Sequence, residues 1–591
     1  MAVFETLFIL FSVLAFGLIF FYTVSSSVRN FLKKRIPTTE NKYFKWTNFL
    51  SKINFTFVYW LIAILSLVAA ITFLVLWLNE KDITGWINYI QSTGTVNSKY
   101  ITMNSNDIYV MGNFTGTVTF YNANQLNPPI EALTLTADTG KTVGFVAKYD
   151  TTGNLIWITK IDSDLTTVEN LIVDSSNNII ISGGFSGNCN FYQFNNGQPL
   201  LKQWYITDAD TSTNGYIAKY NPLGTLLWTN KVASTSATSA TSLVSDKNNN
   251  IFVCGYFDDD IDLFDSSING DPTNYRWSLT LTGTNGRNIY LAKYDTTGVL
   301  GWTSKAESTN NVNASSPSLS IDGSGNLYLA GCFKESSSFY NQNAGDPTSL
   351  FTTITGPAAY VSSFIAKYLN LGSLDWVSKN TSLTGNSVVN NVMVGSQNNI
   401  YSAGYSQGNC DFYNSSAGDP KTLQLTLSGG LSQFGYFVKY SPLGVLQWGN
   451  KIVSSEGCKS TDLVVGENMS VYLIGDFKGD CNFYNLNNSD DILYSLSSEQ
   501  DATFISRYGS NGIGLWCNKI DSVNSCYGTS ITRDSNNYIY ITGTYKNNVN
   551  FYELSGTTPQ DAATASLTSG GTNMQTYLVK YNPNGELYLK N

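Results

Sequence analysis

From residue 86 onward, apolar and polar positions alternate in short runs, the period-2 signature of half-buried strands. In one unit, 169–174 (ENLIVD) alternates and 179–185 (IIISGGF) is a near-continuous apolar run. The segments 216–220 (YIAKY) and 226–231 (LLWTNK) then flank Asn-Pro-Leu-Gly at 221–224. Pro early and Gly late suit a tight reversal, and Asp-Ser-Ser-Asn-Asn at 174–178 supplies an Asx-type turn. The same phrase returns seven times at intervals of roughly 70 residues. Trp86, Trp157, Trp228, Trp302, Trp376, Trp448 and Trp516 mark it, and Leu589 takes the place of an eighth tryptophan.

A strand-rich repeat of this length predicts a closed ring of small sheets. The fold expected is all-β: a seven-bladed β-propeller of four-stranded antiparallel blades over residues 81–591. An excursion carrying a Phe-Tyr pair follows the second strand of each blade. Gly112, Gly183, Gly255, Gly331, Gly404, Gly475 and Gly543 recur inside that second strand, which predicts a close approach of neighbouring sheets there. The tryptophans are expected to wedge between adjacent sheets. Both 85–90 and 586–590 have the character of a fourth strand, so one of them must complete the last blade and hide its edge.

Residues 1–80 follow another rule. Segments 6–24 and 55–78 carry no charge and are long enough to cross a bilayer. Tyr59, Trp60 and Trp77 suit the interfacial belt of the second. The region before residue 6 lacks Lys and Arg and contains Glu5, which favours a retained span over a cleaved signal. The intervening loop, 25–54, holds Arg29, Lys33, Lys34, Arg35, Lys42, Lys45 and Lys52. By the positive-inside rule that loop is cytoplasmic, so both termini and the propeller are expected on the extracytoplasmic side. The expectation is a two-helix transmembrane hairpin at 1–80, with the lipid bilayer as its partner.

The net charge of −9 divides into +4 for residues 1–80 and −13 for the remainder. An acidic propeller is a poor match for phosphate, which argues against nucleic acid as a partner. Histidine is absent, which removes the usual general base, the commonest metal ligand, and any Ser-His or Cys-His nucleophilic pair. All eight cysteines lie beyond residue 188. Cys189, Cys410 and Cys481 hold equivalent places on different blades; Cys458 and Cys526 are the pair best placed to bridge, but buried free thiols are the expectation. Sequons at Asn113, Asn313, Asn380, Asn414, Asn468 and Asn487 permit glycosylation without implying it.

The repeated residues resemble the bacterial-type propeller repeat called SBBP. The matching text is Phe-Val-Ala-Lys at 145–148, Phe-Ile-Ala-Lys at 364–367, and Ile-Asp-Gly-Ser-Gly-Asn-Leu-Tyr at 321–328 ahead of Gly331. It departs from that family where Phe-Tyr replaces Phe-Pro and where Gly395 and Gly466 replace the turn aspartate. The resemblance implies a propeller with an extracytoplasmic scaffold or binding role and no agreed activity. A second stretch, 147–157, looks like the tryptophan-docking motif of quinoprotein dehydrogenases. Those enzymes also use two adjacent cysteines, which this chain lacks, so the stretch is read as the same packing device without quinone chemistry.

Sharper chemical readings give way to structural ones. Asp174, Asp246, Asp322 and Asp534 are expected to cap their own turns and not to form a ring of metal ligands. Asp258, Asp259, Asp260, Asp262 and Asp265 carry oxygen ligands of the calcium type without a calcium-loop order. Gly-Asp-Pro at Gly270, Gly345 and Gly418 reads as a turn within the excursion. A glycosidase propeller needs clustered arginines, whereas Arg276, Arg287, Arg507 and Arg533 are scattered, with Arg507 in the place of the repeat lysine. No catalytic residue, cofactor or metal ligand is therefore assigned. The expected function is a membrane-anchored, non-catalytic module binding a protein or glycan; the alternatives are a structural component of an envelope or virion membrane and, third, a propeller hydrolase.

Overall fold

The computed structural model describes residues 85–591, except 124–130, 196–197, 208–211, 268–270, 273–274, 282–286, 311–316, 488–490, 560, 570–571 and 588–591. Every regular element described is a β-strand. The two predicted spans and the basic loop lie outside these residues, and no helix among the described residues is long and apolar enough to cross a membrane.

One repeat shows how the sheets are built. Its first four strands are Leu165–Val173, Ile179–Ser186, Asn214–Tyr220 and Leu226–Ser234. They pair antiparallel in chain order, with Val173 opposite Ile179, Gly183 opposite Tyr216 and Lys219 opposite Trp228. The excursion between the second and third is not a loop. It is a hairpin, Cys189–Asn195 with Gln198–Ile206, that crosses to the preceding sheet and pairs with Leu155–Asp162 there. The following repeat lends Ile261–Phe264 and Tyr275–Leu279 to this sheet in return, with Leu263 opposite Val232. This sheet therefore has six strands where the sequence predicted four. The physical reason is in the excursion itself. Cys189 and Phe191 are fully buried, and only an outer strand laid against the neighbour's fourth strand covers them.

Four sheets follow this six-stranded order separately. In a larger fifth sheet, Ile400–Tyr413, Leu423–Tyr440, Val471–Tyr484 and Ile492–Tyr508 run on from one such set into the next, so the same order continues without a break. The first strands of successive repeats touch in sequence: Val96–Met103, Leu165–Val173, Thr238–Ser245, Ser318–Ile321, Ser387–Val394, Cys458–Val465 and Cys526–Arg533. The last also touches the first, which closes the ring.

Closure uses the N-terminal strand. Trp86–Ser92 lies between Met574–Tyr581 and Thr117–Tyr121, with Trp86 opposite Lys580 and Ile90 opposite Phe120. Of the two candidates, 85–90 thus completes the last sheet; Glu586 and Leu587 lie outside any strand, and 588–590 are not among the described residues. One sheet combines both ends of the domain, so no edge strand is left open at the seam.

The recurring glycines have a cause different from the expected one. A Cβ at Gly255 would collide with the Ser239 carbonyl oxygen on the first strand and come 2.7 Å from Tyr290 on the third, both in the same sheet. Gly183, Gly404, Gly475 and Gly543 meet the equivalent carbonyl and aromatic ring. Immediately beyond that carbonyl the first strand carries a β-bulge, between Ala240 and Ser242 in this sheet. The bulge tips the carbonyl over the second strand, and only glycine leaves room. Gly331 differs: a Cβ there would meet Phe364 in its own sheet and Ile289 of the neighbouring sheet, which is the close approach expected from the sequence.

Candidate functional site

The most repeated chemistry proves to be scaffolding. Trp157 Nε1 and Lys148 Nζ both donate to the Pro222 carbonyl oxygen of the next repeat, at 3.1 and 3.2 Å. Trp228 and Lys219 converge likewise on Thr296, and Trp516 and Arg507 on Pro583. The turn glycine, Gly224 at φ +79°, lies flat on the Trp157 ring, where a Cβ would come within 3.3 Å. Trp86 closes the series by donating to Thr151 at 3.0 Å. The wedge role expected of the tryptophans is thus met by a dock that joins each sheet to the next, and Arg507 takes the lysine's structural part.

The aspartate series caps its own turns. Asp174 Oδ1 accepts the N–H groups of Ser176 and Asn178, while Lys219 lies 3.0 Å from Oδ2. Asp246, Asp322 and Asp534 accept the equivalent pairs. The acidic stretch at 258–265 is divided among separate partners. Asp258 takes Arg287, Asp259 the Thr235 hydroxyl, Asp262 the Ser278 hydroxyl and Asp265 Arg276. Among the described residues no three His, Cys, Asp or Glu side chains gather to hold a metal.

Gly-Asp-Pro does more than turn the chain. Asp419 accepts from Lys379 Nζ at 2.6 Å in its own sheet and from the Thr355 hydroxyl at 2.8 Å in the preceding one. Asp271 with Lys231 and Thr207, and Asp346 with Lys305 and Thr280, repeat the arrangement. Each is a rivet across the groove between two sheets. At one groove without the motif an open cleft of about 810 Å³ is lined by Lys519, Asp521, Asn550, Tyr552, Glu456 and Asp480 among others. Within it Lys519 pairs with Asp521 at 2.9 Å, and the Tyr552 hydroxyl donates to the same carboxylate.

Sequence reasoning missed a polar belt around the axis. The residue opposite the one before the recurring glycine reaches the first strand of the next repeat: Ser242 Oγ and Asp462 Oδ2, each just after a bulge, accept the Leu319 and Ile531 N–H, and Ser318 Oγ accepts the Val392 N–H. Asp462 also accepts from Asn391, Leu463 and Ser530. Burial pushes its carboxyl up to about 6, against those hydrogen bonds, which pull it down. Asp476 is likewise pushed by burial to about 6, opposed by Lys459 at 3.3 Å. A signal was available, since position 462 carries a carboxylate where the other repeats carry the uncharged Tyr100, Asn170, Ser242, Ser318, Asn391 and Ser530. The bulge that aims it inward is not visible in the sequence.

What the scaffold leaves unused is at the turns between third and fourth strands. Leu223, Leu371 and Leu443 hold the same turn position in three repeats and are 73%, 74% and 75% exposed. Other repeats place Thr152, Thr297, Asn511 or Asn584 there, so folding does not require leucine. Ile513 and Leu515 add exposed apolar surface beside the same turn of another repeat. All eight cysteines are buried and none is in a disulfide, Cys458 and Cys526 included. Asn380 is buried as well, which withdraws its sequon from glycosylation in the folded protein.

No protein-family model matches the chain. An uncharacterized WD repeat-containing protein, L264 of Acanthamoeba polyphaga mimivirus, is 24% identical over 457 residues, 69% of this chain and 32% of that protein. The chain thus spans about a third of that relative's length. Among solved structures, the WD40 β-propeller domain of Doa1 gives a TM-score of 0.25 at 9% identity, covering 64% of this chain and 89% of that one. The extracellular domain of the putative one component system BT4673 of B. thetaiotaomicron gives 0.16 at 10% identity, covering 86% and 84%. The repeat, the ring of antiparallel sheets with its docked tryptophans, and a relative that itself carries WD repeats agree: this chain is a β-propeller repeat protein.

Proposed function

We propose that the chain is a seven-bladed, SBBP-type propeller held at a membrane by two N-terminal spans. In this reading it lies on the extracytoplasmic side and binds a partner without catalysis. The blade count is supported by the ring of first strands, and the anchor by the charge-free segments 6–24 and 55–78 with the basic loop between them. The observation that carries the binding reading is the set of turn leucines, Leu223, Leu371 and Leu443. Apolar side chains at three-quarters exposure, in positions that other repeats fill with Thr or Asn, are placed for contact and not for folding. They favour a protein partner over a glycan. The buried carboxylates Asp462 and Asp476 are hydrogen-bonded within the scaffold, which supports a non-catalytic role.

Affinity capture with the full chain in lipid nanodiscs tests this against the Leu223→Thr, Leu371→Asn, Leu443→Asn triple variant, with a glycan array run in parallel. A partner protein held by the parent and lost by the variant, at unchanged thermal unfolding, is the expected result. Equal capture by both proteins, or glycan binding that survives in the variant, refutes the leucine surface. A second reading, a structural component of a virion or envelope membrane, is favoured by one observation: the relative bearing this repeat is viral. Stoichiometric copy number in a purified particle would support it, and absence from the particle would sink it.

A further inference from the structure

The cysteines are buried, but two of them meet. Cys458 opens the first strand Cys458–Val465, and Cys481 stands on the arm that crosses to the preceding sheet, opposite Ser454. Both belong to one apolar cluster with Phe477, Phe504 and Cys517; burial first, and then the neighbouring Cys458 thiol, push the Cys481 thiol up, while the Cys458 thiol itself donates to the Ile452 carbonyl oxygen at 3.0 Å. The preceding repeat carries a hydroxyl and a thiol at the equivalent two positions, and there the side chains touch: Ser387 Oγ and Cys410 Sγ are 3.1 Å apart. Ser387 and Cys458 both begin a first strand, and Cys410 and Cys481 both stand two residues before a Phe-Tyr pair. Cys526 begins the next first strand, but the corresponding partner position there is Val549. No disulfide joins Cys458 to Cys526, the pair that the sequence places best to bridge.

We propose that Cys458 and Cys481 are built to close as a disulfide, stapling the crossing arm of one sheet to the first strand of the next. The step is thiol–disulfide exchange with glutathione disulfide or an oxidised protein dithiol. One cysteine thiolate attacks the oxidant, forming a mixed disulfide and releasing one reduced thiol. The other cysteine then attacks the protein sulfur of that mixed disulfide and releases the second reduced thiol. Two electrons pass from the pair to the oxidant, and both protons end on its thiols. Burial raises the Cys481 thiol well above its ordinary range, so exchange takes place during folding, before the arm packs.

The test supplies its own oxidant and does not depend on where the protein resides. Full-length protein is folded in a glutathione redox buffer or in dithiothreitol, then unfolded, alkylated, digested and analysed by mass spectrometry. The expected result is a linked peptide joining Cys458 to Cys481, with six alkylated cysteines in the oxidised sample and all eight in the reduced one. Eight alkylated cysteines in both samples, or a bond between any other pair, Cys481–Cys517 included, overturns the proposal. Cys458→Ser recreates the Ser387–Cys410 contact and is expected to fold. It should show seven alkylated cysteines in either buffer and no reductant-dependent change in melting temperature. An equal reductant-dependent change in parent and variant also overturns it.

Discussion

Replacing Trp86 by Ala probes the seam of the ring. Trp86 is 1% exposed, donates its indole N–H to Thr151 at 3.0 Å and packs on Gly153 of the first repeat. Truncation removes a whole buried indole and leaves a carbonyl without its donor. Such a change costs about 3–5 kcal/mol in transfer and cavity terms, with about 1 kcal/mol more for the hydrogen bond. Trp302→Ala is the control for the packing part, because Trp302 packs on Gly372 as Trp86 does on Gly153 but makes no indole hydrogen bond. Its strand, Leu300–Ser308, is joined by chain to its own sheet, whereas Trp86–Ser92 is joined to Met574–Tyr581 only by hydrogen bonds and packing. The loss at Trp86 should therefore appear locally, as separation of the seam. In native-state hydrogen exchange, a loss of about 4 kcal/mol corresponds to exchange on the order of a thousandfold faster. That increase is expected in Trp86–Ser92 and Met574–Tyr581, with Leu327–Lys334 unchanged. A uniform increase across the ring, or the same seam exposure in the Trp302→Ala protein, refutes the reasoning.

Gly255→Ala should lower the unfolding free energy from guanidinium denaturation by about 1–3 kcal/mol, and the midpoint with it, since the new methyl meets a backbone carbonyl that cannot move aside. Gly323→Ala, with nothing within 4 Å, should leave the midpoint alone, and equal effects would sink the bulge argument. The Asp462 carboxyl sits at about 6 folded against the ordinary 3.8. The folded state therefore binds the proton more tightly: its stabilising effect is full below about pH 4 and is lost as pH rises through 6. The rise in urea midpoint from pH 7 to 5 should shrink in Asp462→Asn without vanishing, because Asp476 titrates in the same range; an undiminished rise would count against it. Asp419→Asn should cost about 1–2 kcal/mol by weakening the rivet to Lys379 and Thr355, and a melting temperature equal to the parent's would show the rivet to be idle.

Much of the fold was legible because the repeat states it seven times. Strand positions, the tight turns and the tryptophan wedge all follow from apolar period, turn chemistry and one large side chain per unit. The excursion was not legible. The alternation in Cys189–Asn195 marks a strand, but nothing local says that it pairs with Leu155–Asp162 of another repeat. The glycines were located but misexplained, because the β-bulge that demands them is a property of register between two strands. Among candidate site residues, the capping aspartates and Arg507 were readable from their repeat positions. The exposed leucines were not, because a leucine in a turn has the same letter whether it is covered or bare.

The sequence by itself determined the kind of element at each place, since side-chain period and turn residues act within a few neighbours. Only the tertiary structure decided which strand meets which. Edge hydrogen bonds are chemically alike along every strand, and closure of the ring selects among them. That selection placed Trp86–Ser92 in the last sheet, set Cys410 against Ser387, and left Leu223, Leu371 and Leu443 uncovered.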